Sequence, residues 1–202
     1  MAMMRFLERI LENPTVYALS QAPFIEEKFA VIARHLRPQQ VRRILDVGCG
    51  PGINATRFPG AEYVGLDINE QYLAVARSKY RGEFIQADLR TADLSALGTF
   101  DTILVNSLLH HVADDEARGI LRQLHRALAP DGVVHILELM KPEQGSLVGI
   151  MAYVDRGRYP RRLAAWRTLF EEYFDCLSLE PHHFKKGLWS QLYFGGKRKP
   201  LS

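Results

Sequence analysis

The sequence predicts an α/β domain built around a largely parallel sheet, and three observations support this fold class. Helix-like and strand-like patterns alternate along the chain, as they do where helical crossovers join parallel strands. An apolar run at Ile44 and Leu45 leads into a glycine-rich turn, Gly48–Gly52. A second strand-like run, Tyr63–Asp67, ends in an acid. In open α/β sheets, a glycine turn after one strand and a carboxylate after the next hold an adenosine-bearing ligand.

Length and composition bound the protein further. With 202 residues the chain is long enough for one well-cored α/β domain, so we expect a single domain over residues 1–202. Its 47% apolar and 24% charged residues are typical of a globular protein in water. No apolar run is long enough to span a bilayer, and Arg5, Glu8 and Arg9 interrupt the start too early for a signal-peptide core. Two cysteines make no disulfide framework. These features predict a cytoplasmic protein without stable membrane insertion.

The segment before the glycine turn has helical patterns. Residues 4–12 form a short amphipathic pattern that stops before Pro14. Ser20 is placed to cap a second helix that runs to about Leu36, with a proline and two acids in its first turns. Pro38 then ends this helix.

Capping residues and periodicity predict the later elements. Asn69 is placed to cap a helix that runs to about Tyr80. Asp114 is placed to cap a helix over 115–129 whose apolar residues share one face. The C-terminal elements are predicted as a helix over 161–174 and two strands, 176–180 and 188–194, on either side of a turn at 185–187.

The spacing of the glycines separates two classes of cofactor. The dinucleotide fingerprint G-x-G-x-x-G needs its last glycine for close helix–strand packing, and counted from Gly48 that position is Ile53. The pattern is instead Asp-x-Gly-x-Gly-x-Gly, with Asp46 two residues before the first glycine. An acid at this turn suits a sulfonium-bearing amino acid better than it suits a pyrophosphate.

The segment Leu45–Gly52 resembles the first motif of the class I S-adenosylmethionine-dependent methyltransferases. The later motifs of that family follow in order: acids end two strand-like runs at Asp67 and Asp88, a fourth run covers Phe100–Asn106, and a proline–acid–glycine turn at 130–132 precedes the fifth. The resemblance implies a Rossmann-like, seven-stranded, mostly parallel sheet in the order 3-2-1-4-5-7-6, with helices on both faces. It is strong over residues 40–140 and weak over the C-terminal third.

The resemblance implies S-adenosyl-L-methionine as the cofactor. Asp67 is then expected to accept hydrogen bonds from the ribose hydroxyls, and Asp88 to meet the adenine amino group. Asn106 ends the fourth strand, beside the point where strand order reverses and ligands bind. We expect it to hold the methionine end of the cofactor or the acceptor, and the alternative is that it caps the next turn. The full set assigned to the cofactor is Asp46, Gly48, Gly50, Gly52, Asp67, Ile68, Asp88, Leu89 and Asn106.

Catalytic residues are marked less clearly, because in-line methyl transfer needs orientation and exclusion of water and only sometimes removal of a proton. His110 and His111 follow the fourth strand, and a histidine there can take a proton from an acceptor hydroxyl or amine. We favour His111, and the alternative is a hydrogen bond to the backbone or the cofactor. Glu138 ends the fifth strand, where it faces the acceptor or pairs with Lys141 or another basic neighbour. His182 and His183 lack further ligand-like neighbours, so no metal site is predicted.

The resemblance also places two additions over the carboxyl edge of the sheet. Residues 1–38 supply an N-terminal helical lid and the first helix, and residues 142–160 form an insertion over the acceptor side. In this region an apolar stretch over 147–153 runs into four arginines. Apolar cover beside guanidinium groups suits an amphipathic or anionic acceptor, and the alternative is a surface helix whose arginines stay in water. The four arginines are Arg156, Arg158, Arg161 and Arg162.

The predicted function is transfer of a methyl group from S-adenosylmethionine to a small-molecule acceptor. A nucleic-acid base methyltransferase is disfavoured, because Asn106–Leu109 lacks the Asn/Asp-Pro-Pro-aromatic loop used on exocyclic amines. Two alternatives stay open: a non-catalytic S-adenosylmethionine-binding protein and a nicotinamide-dependent oxidoreductase. The predicted partner is a small molecule rather than nucleic acid, and the sequence leaves a homo-oligomer open.

Overall fold

The computed structural model describes residues 25–141, 159–184 and 189–200. Several predicted features lie outside the described residues. They are the helix over 4–12, the cap at Ser20, the lid residues up to 24, most of the insertion over 142–160, and the turn at 185–187.

Within the described residues, seven strands form one sheet in the order β3-β2-β1-β4-β5-β7-β6, which confirms the predicted topology and fold class. Strands β1 to β5 pair in parallel, and β7 pairs antiparallel with both β5 and β6. The strands are β1 (Arg43–Val47), β2 (Glu62–Asp67), β3 (Glu83–Gln86), β4 (Phe100–Asn106), β5 (Leu128–Leu139), β6 (Phe174–Phe184) and β7 (Trp189–Arg198).

The described α-helices are α1 over 25–33, α2 (Glu70–Lys79), α3 (Asp114–Ala127) and α4 (Leu163–Glu171). Asn69 caps α2 as predicted, because its side chain accepts the N–H groups of Gln71 and Tyr72. The predicted cap of α3 is wrong by one residue. The N-cap is Ala113, whose N–H donates to Glu116 at 3.0 Å.

The junction between α3 and β5 also differs from the prediction. The helix ends at Ala127, two residues before the predicted end, because Leu128 already pairs with Phe100 of β4. The next pair in this ladder is Val133 with Thr102, so the residues between them, including the proline–acid–glycine turn, bulge out of the ladder.

Successive side chains along a strand point to opposite faces of the sheet, so the strands contribute to two hydrophobic cores, one on each face. Ile44 of β1 and Leu104 of β4 belong to the core that α1 and α2 complete. Leu45 and Ile103, one position away, belong to the core that α3 and α4 complete. Because both faces are covered, the central strands are buried on both sides, which explains their continuous apolar sequences.

We predict that Gly65→Ala destabilises the protein by about 1–3 kcal/mol, the usual cost of overpacking. Gly65 lies in β2, and a Cβ there would lie 2.8 Å from Cys49 Sγ and 2.9 Å from Phe84 Cδ1. Gly119→Ala in α3 is the control, since an added methyl there meets nothing within 4 Å. It should stabilise the helix by about 0.5–1 kcal/mol. Urea unfolding of both variants tests this, and a Gly65→Ala protein as stable as wild type would contradict it.

Candidate cofactor and active site

The glycine turn after β1 requires glycine at three positions because the backbone there has positive φ angles. Gly48, Gly50 and Gly52 have φ values of +73°, +54° and +80°, in the region that glycine adopts without steric cost. The N–H groups of Gly48 and Cys49 both donate to the carbonyl of Leu66, at 2.8 and 2.9 Å. These two hydrogen bonds therefore fix the turn to the end of β2.

Asp67, the last residue of β2, lies against this turn. Its Oδ2 accepts the N–H of Gly50 at 2.8 Å, and its Oδ1 accepts the N–H of Asn69 at 2.8 Å. Burial raises the pKa of Asp67, although these backbone donors oppose the shift. A carboxylate has about four acceptor positions, so two bonds leave capacity for two ligand hydroxyls. The hydrogen bond from Gly50 thus holds Asp67, the residue predicted to bind the ribose hydroxyls, against the glycine turn.

Asp46 lies beneath the turn and is almost fully enclosed, with 1% of its surface exposed. Its Oδ2 accepts the Tyr63 hydroxyl at 2.5 Å and the Asn54 amide at 3.1 Å. Its Oδ1 accepts no hydrogen bond from any residue that the structure describes. Burial raises the pKa of Asp46 to about 6. The sequence did not reveal the role of Tyr63, because the pairing depends on two adjacent strands.

The predicted adenine side lies after β2 and β3. Asp88 forms a two-point ion pair with Arg90, with Nε–Oδ1 at 2.9 Å and Nη2–Oδ2 at 2.6 Å, and the hydrogen bonds from Arg90 lower the pKa of Asp88. Leu89 is buried, whereas Ile68 is 58% exposed. An adenine amino group would therefore share the Asp88 carboxylate with Arg90, a partner that sequence reasoning missed.

Asn106 ends β4 and faces a pocket that it shares with Gly48, Pro51 and residues of α1. Its Oδ1 accepts the hydroxyl of Ser107 at 3.1 Å. Among the residues described, Ser107 is the one non-glycine with a positive φ, at +56°. Such a backbone costs free energy in a non-glycine residue and is typical of binding sites.

Glu138, near the end of β5, is fully buried. Its Oε1 accepts the N–H groups of Leu108 and Leu109 at 2.8 and 2.6 Å, and its Oε2 lies 2.6 Å from Nδ1 of His110. Burial raises the pKa of Glu138, but the His110 ring and the two backbone donors outweigh it, so the net pKa is lowered. The basic partner of Glu138 is His110 and not Lys141.

The two adjacent histidines have different surroundings. His110 is fully buried, whereas His111 is exposed, and their rings lie 4.2 Å apart. Of the two predicted catalytic residues, His111 and Glu138, the exposed one is His111. The structure thus gives Glu138 contacts that fix the turn after β4, and it leaves the His111 ring exposed.

The Arg161 side chain is buried, and its guanidinium is hydrogen-bonded to other residues of the protein. This corrects the expectation that it faces the acceptor. Its Nε donates to Asp114 at 2.8 Å, and its other nitrogens donate to the carbonyls of Leu109 and Val112 at 3.0 and 2.9 Å. The guanidinium also lies over the Trp166 ring at 4.5 Å. Of the other predicted arginines, Arg162 is exposed, and positions 156 and 158 lie outside the described residues.

Comparisons with known proteins agree with this geometry. A family model for a methyltransferase domain matches residues 44–132. Trans-aconitate 2-methyltransferase of Acidovorax sp. (strain JS42) is 31% identical over 193 residues, which are 90% of this chain and 72% of that protein. A ubiquinone biosynthesis O-methyltransferase of Parvibaculum lavamentivorans is 31% identical over 73% of this chain and 62% of its own length.

The chain belongs to the class I S-adenosylmethionine-dependent methyltransferases. The structure of the N-methyltransferase NodS of Bradyrhizobium japonicum WM9, in complex with S-adenosyl-L-homocysteine, matches with a TM-score of 0.75 over 97% of this chain and 98% of that chain. At 16% identity this likeness supports the fold. This methyltransferase uses S-adenosyl-L-methionine to methylate a small molecule, so the nicotinamide and non-catalytic alternatives are set aside.

The residues of this methyltransferase fit that cofactor. The glycine turn lies against Asp67, Asp67 keeps acceptor capacity, and the buried Oδ1 of Asp46 has no donor within the described part of the chain. The described residues include no group of three or more His, Cys, Asp or Glu side chains placed to hold a metal ion. They also include no helix long and apolar enough to cross a membrane.

We predict that Asp46 makes the methyltransferase less stable as pH rises from about 4 to about 6. The folded state raises the pKa of Asp46 from 3.8 to about 6, so the stabilising protonation is complete at low pH and is lost as pH rises through the folded pKa. The shift corresponds to about 3 kcal/mol. Asp46→Asn cannot ionise and should remove this fall. Urea unfolding at several pH values tests it, with the exposed Asp93→Asn as control; identical pH profiles for wild type and Asp46→Asn would refute it.

We predict that Arg161→Met lowers the free energy of unfolding by about 2–3 kcal/mol, because buried carbonyls at the turn after β4 lose their donors. The neighbouring Arg162→Met, which removes an exposed side chain, should change stability by less than about 0.5 kcal/mol. Chemical denaturation of the pair measures the difference. Equal stabilities would mean that Arg161 is not a structural residue.

Proposed function

We propose that the methyltransferase holds the adenosine part of its cofactor with Asp67, Ile68, Asp88 and Leu89, and the methionine part beside Asn106 and the glycine turn. The observation that carries this proposal is the 2.8 Å hydrogen bond from Gly50 N–H to Asp67. It places a carboxylate with spare acceptor positions directly against the glycine turn. One ligand with a ribose beside a charged chain can contact both at once.

When bound, the cofactor supplies a methyl group that is already activated on a sulfonium. The residues of the protein therefore bind, orient and exclude water. We assign removal of the acceptor proton to His111, because this imidazole is exposed at the turn after β4. We assign Glu138 a positioning role and not removal of the acceptor proton, because its carboxylate is already bonded to Leu108, Leu109 and His110 in the turn after β4.

We propose an anionic or amphipathic small molecule as the acceptor. The burial of Arg161 removes one of the four arginines that suggested it, and the exposed Arg162 is still available. The name of one relative, a trans-aconitate 2-methyltransferase, also supports an anion. The cytoplasmic location and the absence of a nucleic-acid partner stay proposals that rest on composition and on the missing Pro-Pro loop.

Asp67→Ala should weaken binding of S-adenosyl-L-homocysteine by about 1–3 kcal/mol, because it removes a charged acceptor. Glu62→Ala is the matched control, since Glu62 is an exposed acid at the opposite end of the same strand. Isothermal titration calorimetry on wild type and both variants tests the proposal, with circular dichroism to confirm folding. Wild-type affinity in Asp67→Ala would show that this carboxylate does not bind the cofactor, and no binding to wild type would refute the site as a whole.

A further inference from the structure

Asp88, the acid after β3 that we assign to the adenine amino group, is bonded three times to one neighbouring residue. The backbone N–H of Arg90 donates to Asp88 Oδ1 at 3.0 Å, and Nε of the same arginine donates to Oδ1 at 2.9 Å and lies 3.2 Å from Oδ2. Nη2 donates to Oδ2 at 2.6 Å. A carboxylate has about four acceptor positions, so these three donors leave one of them, on Oδ2, for a ligand.

The Arg90 side chain is itself held by a second acid. Its Nη1 lies 3.7 Å from Oε1 of Glu116 in the first turn of α3. The other oxygen of Glu116 accepts the N–H of Ala113 at 3.0 Å. The guanidinium therefore lies between two carboxylates, one after β3 and one at the start of α3, and its direction is set by both.

Stability does not explain this ion pair. The side chains of Asp88 and Arg90 are 30% and 48% exposed, and ion pairs exposed to this degree contribute little to folding. The turn after β3 is already held by its backbone, because the N–H groups of Thr91 and Ala92 donate to the Asp88 carbonyl at 3.0 and 2.8 Å. What the guanidinium adds is a fixed direction for the Asp88 carboxylate.

We propose that Arg90 is a positioning residue for adenine recognition, which keeps the last acceptor position of the Asp88 carboxylate in a fixed direction for an exocyclic amino group. A two-point arginine–carboxylate contact fixes the plane of the carboxylate. A ligand that bonds to a carboxylate already fixed does not bear the entropic cost of ordering it. The inference rests on the proposed placement of the adenosine part of the cofactor at Asp88.

The test compares two ligands that differ at one group of the base. S-adenosyl-L-homocysteine has the adenine amino group, and S-inosyl-L-homocysteine has a carbonyl oxygen at the same place. Isothermal titration calorimetry on wild type should show about 10- to 100-fold tighter binding of the adenosyl ligand, because the inosyl ligand loses a hydrogen bond to a charged acceptor. Asp88→Asn removes the charge and adds a donor, so it should bind the two ligands about equally and sets the lower limit of the ratio.

Arg90→Met should lower the ratio of the two affinities by about 3- to 10-fold and leave the affinity for S-inosyl-L-homocysteine unchanged, because only the ligand that bonds to the carboxylate has to order it. Arg90→Lys keeps the charge without the planar fork, so it should show the same lowered ratio. Arg81→Met is the matched control. It removes another exposed arginine, just before β3, and should keep the wild-type ratio.

The outcomes separate this role from the cofactor placement. A wild-type ratio in Arg90→Met overturns the proposal, and so does a ratio that Arg90→Lys restores, because charge alone would then suffice. An equal loss of affinity for both ligands in Arg90→Met also overturns it, since that pattern indicates a structural role. A wild-type ratio in Asp88→Asn refutes the placement of adenine at Asp88, and the proposal with it. Binding of S-inosyl-L-homocysteine reports that each variant is folded.

Discussion

Hydrogen bonds from backbone N–H groups to carboxylates near the ends of neighbouring strands hold two turns of the site in place. Asp67 accepts the N–H of Gly50 in the glycine turn, and Glu138 accepts those of Leu108 and Leu109 in the turn after β4. Where a strand ends in a turn, its N–H groups lose their partners in the sheet and need other acceptors. A charged acceptor makes these bonds short and strong. The positions of the cofactor turn and of the His110–His111 turn therefore depend on acids in neighbouring strands.

The turn after β4 is held from two sides by opposite charges. Glu138 binds N–H groups at its start, and Arg161 binds the carbonyls of Leu109 and Val112 at its end. Because both ends are fixed, the adjacent histidines take opposite environments, with His110 inside against Glu138 and His111 exposed. A single turn thus supplies a buried structural histidine and an accessible one, and the chemical difference between them comes from the partners.

Local patterns in the sequence predicted the parts of the fold that local forces determine. The glycine turn, the acids at strand ends and the Asn69 cap follow from neighbours a few residues away, and the strand order followed from the family resemblance. The cap at Asp114, the end of α3 and the role of Arg161 were wrong. Asp114 pairs with Arg161, 47 residues away, and no periodicity encodes that contact.

The two edges of the sheet differ in how their polar groups are paired. At the amino edge, Arg43 pairs with Glu62 at 2.9 Å and with the carbonyl of Thr99, while Asp101 accepts the N–H groups of Arg42 and Arg43. At the carboxyl edge, Asp46 is buried with a raised pKa and Ser107 has a strained backbone. The charge on Asp46 and the backbone of Ser107 each cost free energy, and costs of this kind are typical of binding sites. Both residues lie at the edge where the glycine turn follows β1, so among the described residues these two costs fall on the side of the sheet where an open α/β sheet binds its ligand.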